Sequence, residues 1–102
     1  MDLIKNERVN NLLDIYEPLL TNKQKEIMEM YYIYDLSLAE IALDNKTTRS
    51  AVFDLIKRTT NTLENYESKL HLLDKKEKIH ELLKNKKIKP IDLVEESFER
   101  IE

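Results

Sequence analysis

From Val9 onward, apolar residues recur every three or four positions with little interruption. Val9, Leu12, Leu13 and Tyr16 share one face of a helix expected over about Ile4 to Glu17, and Pro18 discourages its continuation. Thr21, with Gln24 three residues later, reads as a capping box opening a second helix that runs to about Tyr34. Its apolar face is expected to hold Ile27, Met30, Tyr31 and Tyr34. Ser37 with Glu40 forms a second such box, before a short helix from Leu38 to Asp44. Thr48 caps a fourth helix. Its apolar positions, Val52, Leu55, Ile56, Leu63, Tyr66, Leu70 and Leu73, stay within one stripe at about 100° per residue. That stripe predicts one helix of about seven turns. Beyond it, Ile79, Leu82 and Leu83 make a short amphipathic piece, and "KNKKIKP" reads as a solvated connector. Pro90 suits a helix start, and Ile91, Val94, Phe98 and Ile101 would line one face of a terminal helix.

Every predicted element is helical. The composition points the same way: among 102 residues there is no Gly and there are only two Pro, the residues that punctuate strands and tight turns. The expectation is an all-α chain forming a single helical domain over 1–102, with a helix-turn-helix at about 37–58 and a C-terminal extension at about 84–102. The absence of Cys excludes a disulfide framework and thiolate metal sites. No apolar run reaches about 18 residues, and no charged-then-apolar leader opens the chain, so it is read as cytoplasmic.

The segment from Ser37 to Thr59, "SLAEIALDNKTTRSAVFDLIKRT", carries the helix-turn-helix. Leu38, Ile41 and Ala42 supply the first helix, Thr48 caps the second, and Val52 and Leu55 face back onto it. Val52 lies ten residues after Ala42, and Leu55 thirteen. An ordinary helical hairpin is the alternative. The turn, Asn45–Lys46–Thr47, lacks the apolar residues usual there, so the angle between the helices is expected to be less firmly fixed. Asn45 can take a left-handed backbone at modest cost.

Net charge is −3, which is unusual for a dedicated DNA binder, but it is unevenly spread. Residues 1–44 carry nine acids and four bases. Within 46–58, Lys46, Arg49, Lys57 and Arg58 face only Asp54. Residues 75–89 hold seven Lys against Glu77 and Glu81, and 90–102 hold five acids against Arg100. The candidate nucleic-acid-binding residues are therefore Lys46, Thr48, Arg49, Ser50, Lys57 and Arg58, through phosphate or guanine contacts. Four cations allow about four phosphate contacts, a salt slope near −3.6, which suits weak binding to DNA or RNA. Asp54 in the middle of that face opposes it.

Phe53 lies off the core stripe and is a candidate partner contact. Lys84, Lys86 and Lys87 in the basic connector are candidates for an RNA or an acidic protein surface; a simply solvated run is the alternative. The long stripe closes either an intramolecular core with the first helix or a dimer seam, and a homodimer is the expectation. Catalysis finds no support. "HELLK" at 80–84 begins like the HExxH zinc motif, but Lys84 stands where the second His must be. A Gly-rich phosphate loop is impossible without Gly. The expectation is a non-enzyme with no cofactor and no metal.

The stretches "LLTNKQKEIMEMYYIYDLSLAEIA", "TRSAVFDLIKRT" and "LENYESKLHLL" resemble the YlxM family of small bacterial proteins, over roughly Leu12 to Leu83. The Thr–x–Lys–Gln entry, the paired Tyr31–Tyr32 and the order from Tyr66 to Leu73 carry the resemblance. That family resembles region 4 of sigma factors, so the resemblance implies an all-helical fold with a helix-turn-helix followed by a long helix. It also implies a regulatory role linked to the signal recognition particle pathway, because family genes neighbour those of the particle and its receptor. Its implied partners are nucleic acid and the particle's protein or receptor; the alternative is a protein–protein adaptor whose helix-turn-helix no longer reads DNA.

Overall fold

In a computed structural model, residues 7–86 are described; the expected terminal helix and Lys87 lie outside the described residues. Among these residues there are five α-helices and no strand: α1 (Glu7–Tyr16), α2 (Asn22–Tyr32), α3 (Leu38–Asp44), α4 (Arg49–Leu70) and α5 (Leu72–Lys86). They fall into two compact units, one ending at Lys69 and one beginning at Leu70.

In the first unit, α1 buries Val9, Leu12, Leu13 and Tyr16, the face its periodicity predicts. A 3₁₀ turn over Glu17–Leu19 follows, with Pro18 near its start, where a missing amide hydrogen is harmless. Both expected capping boxes form in full. Thr21 Oγ1 accepts from the Gln24 amide at 3.2 Å while the Thr21 amide donates to Gln24 Oε1 at 2.9 Å. Ser37 and Glu40 exchange the same pair of bonds, both at 3.0 Å. The Ser37 backbone N–H, then its hydroxyl, holds the Glu40 carboxyl below the usual carboxylate range.

α2 differs from its expected face. Ile27, Met28 and Tyr31 are buried, Met30 is half-buried, and Tyr34 is 68% exposed. The reason is where the helix stops. α2 ends at Tyr32, and Asp35 turns left-handed at φ 58°, so Tyr34 never holds the helical register that would bring it inward.

α4 buries Val52, Ile56, Thr59, Leu63 and Glu67. Leu55 and Tyr66 are half-buried, and Leu70 is 46% exposed. The distal half of the helix is tied to α1. Arg8 donates from Nε and Nη2 to both carboxylate oxygens of Glu64, at 2.9 and 3.2 Å for the shorter bond of each nitrogen. The Tyr16 hydroxyl donates to Glu67 Oε1 at 2.6 Å, and the rings of Tyr16 and Tyr66 lie 5.8 Å apart. Leu63 is wholly inaccessible to solvent in a single chain, so the stripe up to that point belongs to an intramolecular core. Burying such a side chain is worth roughly 1.5–3 kcal/mol.

The stripe does not run on as one helix. His71 adopts φ 53° and ends α4, so Leu73 belongs to a new element. A smooth apolar period cannot reveal a one-residue break of this kind. Asp35, Lys46 and His71 are the left-handed residues among those described, in a chain that has no Gly to offer. Each bears a steric cost of roughly 1–2 kcal/mol.

In the second unit, the His71 carbonyl accepts the Lys75 amide at 3.0 Å as α5 begins. Leu73 is buried; Leu72, Ile79, Leu82 and Leu83 are half-buried, and Asp74 pairs with Lys78 at 3.3 Å. The expected solvated connector is partly helix: Lys84, Asn85 and Lys86 are the last residues of α5. Nothing between Leu72 and Lys86 breaks a helix, and Lys is a good helix former.

Candidate nucleic-acid interface

The two helices of the motif are set by apolar contacts and by the chemistry of their turn. Ile41 and Ala42 of α3 are buried, as is Val52 of α4 ten residues after Ala42; Leu38 and Leu55 are half-buried, and Ile56 rather than Leu55 is the fully buried residue that follows on α4. α3 ends in a Schellman motif. The Thr47 amide donates to the Ala42 carbonyl at 2.9 Å and the Lys46 amide to the Leu43 carbonyl at 3.3 Å. The left-handed residue is Lys46, at φ 53°, not Asn45, which stays at φ −93°, ψ 4°.

Asn45 has a different task, and the residue type alone did not reveal it. Its Nδ2 donates to the Ile41 carbonyl at 2.8 Å and lies 3.7 Å from Met30 Sδ, while its Oδ1 accepts from Lys23 Nζ at 3.0 Å. One amide side chain therefore fastens the turn to α2 at two places. At its last residue α2 also reaches α4, where the Tyr32 hydroxyl meets Thr60; burial pushes that phenol up, and the bond to Thr60 partly offsets it. These polar ties stand where a conventional turn would use apolar anchors.

The exposed side of α4 then presents the expected candidates. Thr48 caps the helix, its Oγ1 accepting from the Ala51 amide at 3.1 Å. Its hydroxyl hydrogen remains able to donate to a phosphate. Lys46, Thr48, Arg49, Ser50, Lys57 and Arg58 are all exposed. Arg49 and Ser50 lie in the first turn, where the helix dipole favours an anion. Asp54 does not stand alone in the middle of this face: it pairs with Arg58 Nε at 2.9 Å, one helical turn on. The pair is nearly neutral together, which leaves Lys46, Arg49 and Lys57 as the cations of the face. Three contacts give a salt slope of about −2.7, below that expected from four.

Phe53 sits at the edge of this surface and is half-buried. Lys84 is exposed but lies in the second unit, with Lys86 at the end of the same helix. Phe53 and the lysines thus belong to separate units. No helix among the described residues is long and apolar enough to cross a membrane.

Residues 3–101 match the UPF0122 family, described as "Putative helix-turn-helix protein, YlxM / p13 like". A UPF0122 protein of Lactiplantibacillus plantarum is 53% identical over 83 residues, which is 80% of this chain and 72% of that protein. One from Staphylococcus epidermidis is 51% identical over 81 residues, 79% of this chain and 74% of its own length. One from Oceanobacillus iheyensis is 49% identical over 90 residues, 88% of this chain and 86% of its own. The capping boxes, the helix-turn-helix and these similarities agree: the chain belongs to the UPF0122 family of YlxM / p13-like helix-turn-helix proteins.

Proposed function

We propose that this chain is a regulatory binding protein whose helix-turn-helix contacts nucleic acid, in a role linked to the signal recognition particle pathway. The observation that carries the reading is the exposed set of cations Lys46, Arg49 and Lys57, which runs from the turn before α4 into its third turn. Thr48, Ser50 and the first-turn amides of the helix supply neutral donors beside it. The ligand class is DNA or RNA. The link to the particle rests on the family's gene neighbourhood, which is an associational warrant rather than one drawn from the site. The particle's RNA or protein, or its receptor, is the partner that this link suggests. A homodimer in the cytoplasm completes the reading, with its seam on a surface other than the stripe up to Leu63.

The test measures binding to a labelled DNA duplex and to the particle's RNA across a salt series. Arg49→Ala with Lys57→Ala removes two phosphate contacts, so the salt slope falls by about 1.8 and affinity drops for either ligand. Both residues are exposed, so the melting temperature stays unchanged. Binding to neither ligand, or a slope that ignores the double variant, would refute this use of the face. A protein–protein adaptor is the second reading. The Asp54–Arg58 pair favours it, because it lowers the charge of the presented face.

A further inference from the structure

A second surface lies between α2 and α3, and its chemistry is opposite to that of the basic face. It is a groove of about 610 Å³. Met30, Tyr34, Leu36 and Leu43 give its lining an apolar part. Leu43 is 82% exposed and Tyr34 68%, large values for apolar side chains brought together on one surface. Glu26 and Glu29 of α2, with Glu40 and Asp44 of α3, line it as well. Among the described residues that line it there is no Lys, Arg or His. Of the basic residues of α2, Lys23 is bonded to Asn45 and Lys25 to Glu17.

The two walls follow the same rule. Glu26, Glu29 and Met30 are spaced i, i+3, i+4 along α2, and Glu40, Leu43 and Asp44 repeat that spacing along α3. Each helix therefore offers one face with both acid and apolar side chains. We propose that this groove docks a basic amphipathic helix from a protein partner, its apolar stripe on Met30, Leu36 and Leu43 and its Lys or Arg residues against the four carboxylates.

Charge complementarity selects that occupant. Four carboxylates repel a nucleic-acid backbone. Among the described residues, no three His, Cys, Asp or Glu side chains gather closely enough to hold a metal ion, so the acids are not a cation cage. An extended peptide gains affinity from main-chain pairing along a strand edge, and two helices offer no such edge. A helix needs only an apolar stripe and a charged flank. Met30 adds a flexible thioether that adapts to the side chains it meets. Glu40 is fixed in place by its bonds to Ser37 and stays ionised.

The test uses the full chain and two fluorescent synthetic peptides of about 18 residues, made of Leu and Lys in equal proportion. In one the Leu residues follow helical spacing; in the other they alternate with Lys, giving the same charge without a helical stripe. Anisotropy titration should give at least about tenfold tighter binding for the first peptide. Leu43→Asp should abolish that preference. Glu29→Gln with Asp44→Asn should weaken binding of both peptides and lower the salt dependence. Arg49→Ala with Lys57→Ala should change neither, so this groove and the nucleic-acid face can fail separately. Equal affinity for the two peptides would overturn the proposal, leaving only diffuse charge attraction. So would an unchanged preference in Leu43→Asp. A free chain that sediments as a dimer, and becomes a monomer with Leu43→Asp, would also overturn it: the groove would then be the seat of a second copy.

Discussion

The two halves of α4 share one helix and one apolar stripe, yet the chain uses them differently. The proximal half, from Arg49 to Arg58, buries Val52 and Ile56 and turns its other side to solvent with Arg49, Lys57 and the paired Asp54 and Arg58. The distal half buries polar groups as well: Thr59 and Glu67 sit on the stripe, and Glu67 takes the Tyr16 hydroxyl. A buried carboxylate is tolerated only where it is hydrogen-bonded, so α1 must be in place for the distal half to be stable. The proximal half is a presenting surface, and the distal half is the anchor that holds it against α1. The helix has room for both because it is 22 residues long, more than a helix-turn-helix alone requires.

The strongest way to break this contrast is a charge in the anchor. Leu63→Glu places an unpaired carboxylate at a position with no solvent access, where the cost of several kcal/mol is a large fraction of the stability of a small domain. Far-UV circular dichroism should report loss of the folded state. Leu70→Glu, on the same stripe but exposed, should shift the melting temperature little. Equal effects at the two positions would mean that the stripe is one continuous buried surface, as its periodicity alone suggested.

Tyr16→Phe is a narrower cut. It leaves the Glu67 carboxylate in place and removes the 2.6 Å bond, so urea unfolding should show a loss of about 2 kcal/mol, typical of a hydrogen bond to a charged group. An effect below about 0.5 kcal/mol would mean that Glu67 is satisfied without Tyr16 and that the tie to α1 is incidental.

Much of this architecture is legible in the sequence, and the illegible parts share a cause. Local signals are read correctly: Thr21 with Gln24 and Ser37 with Glu40 are complete capping boxes, and α3 has the bounds expected for it. The α1 face of Val9, Leu12, Leu13 and Tyr16 follows from period alone. Long-range polar contacts are missed. Glu67 reads as an ordinary surface charge because its partner lies 51 positions away. Asn45 can turn left-handed by residue type, whereas its role is set by Lys23 and Met30 on another helix. Lys46, a poor candidate by type, takes the left-handed turn instead, because the Schellman bonds fix that position in the α3 cap. Within the candidate site, the helical period places Ser50, Asp54 and Lys57 opposite the apolar stripe, and they are exposed; the pairing of Asp54 with Arg58 is not given by that period. Two charges four residues apart on a helix are a visible signal for such a pair.

Thr59 carries the next smaller test. It is fully buried, and its Oγ1 has no hydrogen-bond partner. Thr59→Val keeps the shape of the side chain and removes the unsatisfied oxygen, so it should stabilise the anchor by about 1 kcal/mol, visible as a raised melting temperature. Nucleic-acid affinity should not change, because the residue lies on the inner side of α4. A loss of stability would show that the hydroxyl has a bonding role that its neighbours hide.

The smallest effect on the fold is expected at Asp54, where the question moves from the anchor to the presenting face. Asp54→Asn dissolves an exposed i, i+4 ion pair, which contributes about 0.3–0.5 kcal/mol. Stability should therefore change little. Binding should change more. The substitution removes a carboxylate from this face and releases Arg58 from its partner, so the surface gains a cation as it loses an anion. If Arg58 then reaches a phosphate, the salt slope should steepen by about 0.9 and affinity for DNA or RNA should rise. In the double background Arg49→Ala with Lys57→Ala, most of the gain should disappear, since a single released cation cannot replace two. A protein partner held through Phe53 would respond little to these charges: Phe53→Ala would weaken it at every salt concentration, and Asp54→Asn would leave its salt slope nearly flat. Titrating nucleic acid against these variants decides whether the ion pair masks a nucleic-acid surface or belongs to a face that has given up that ligand.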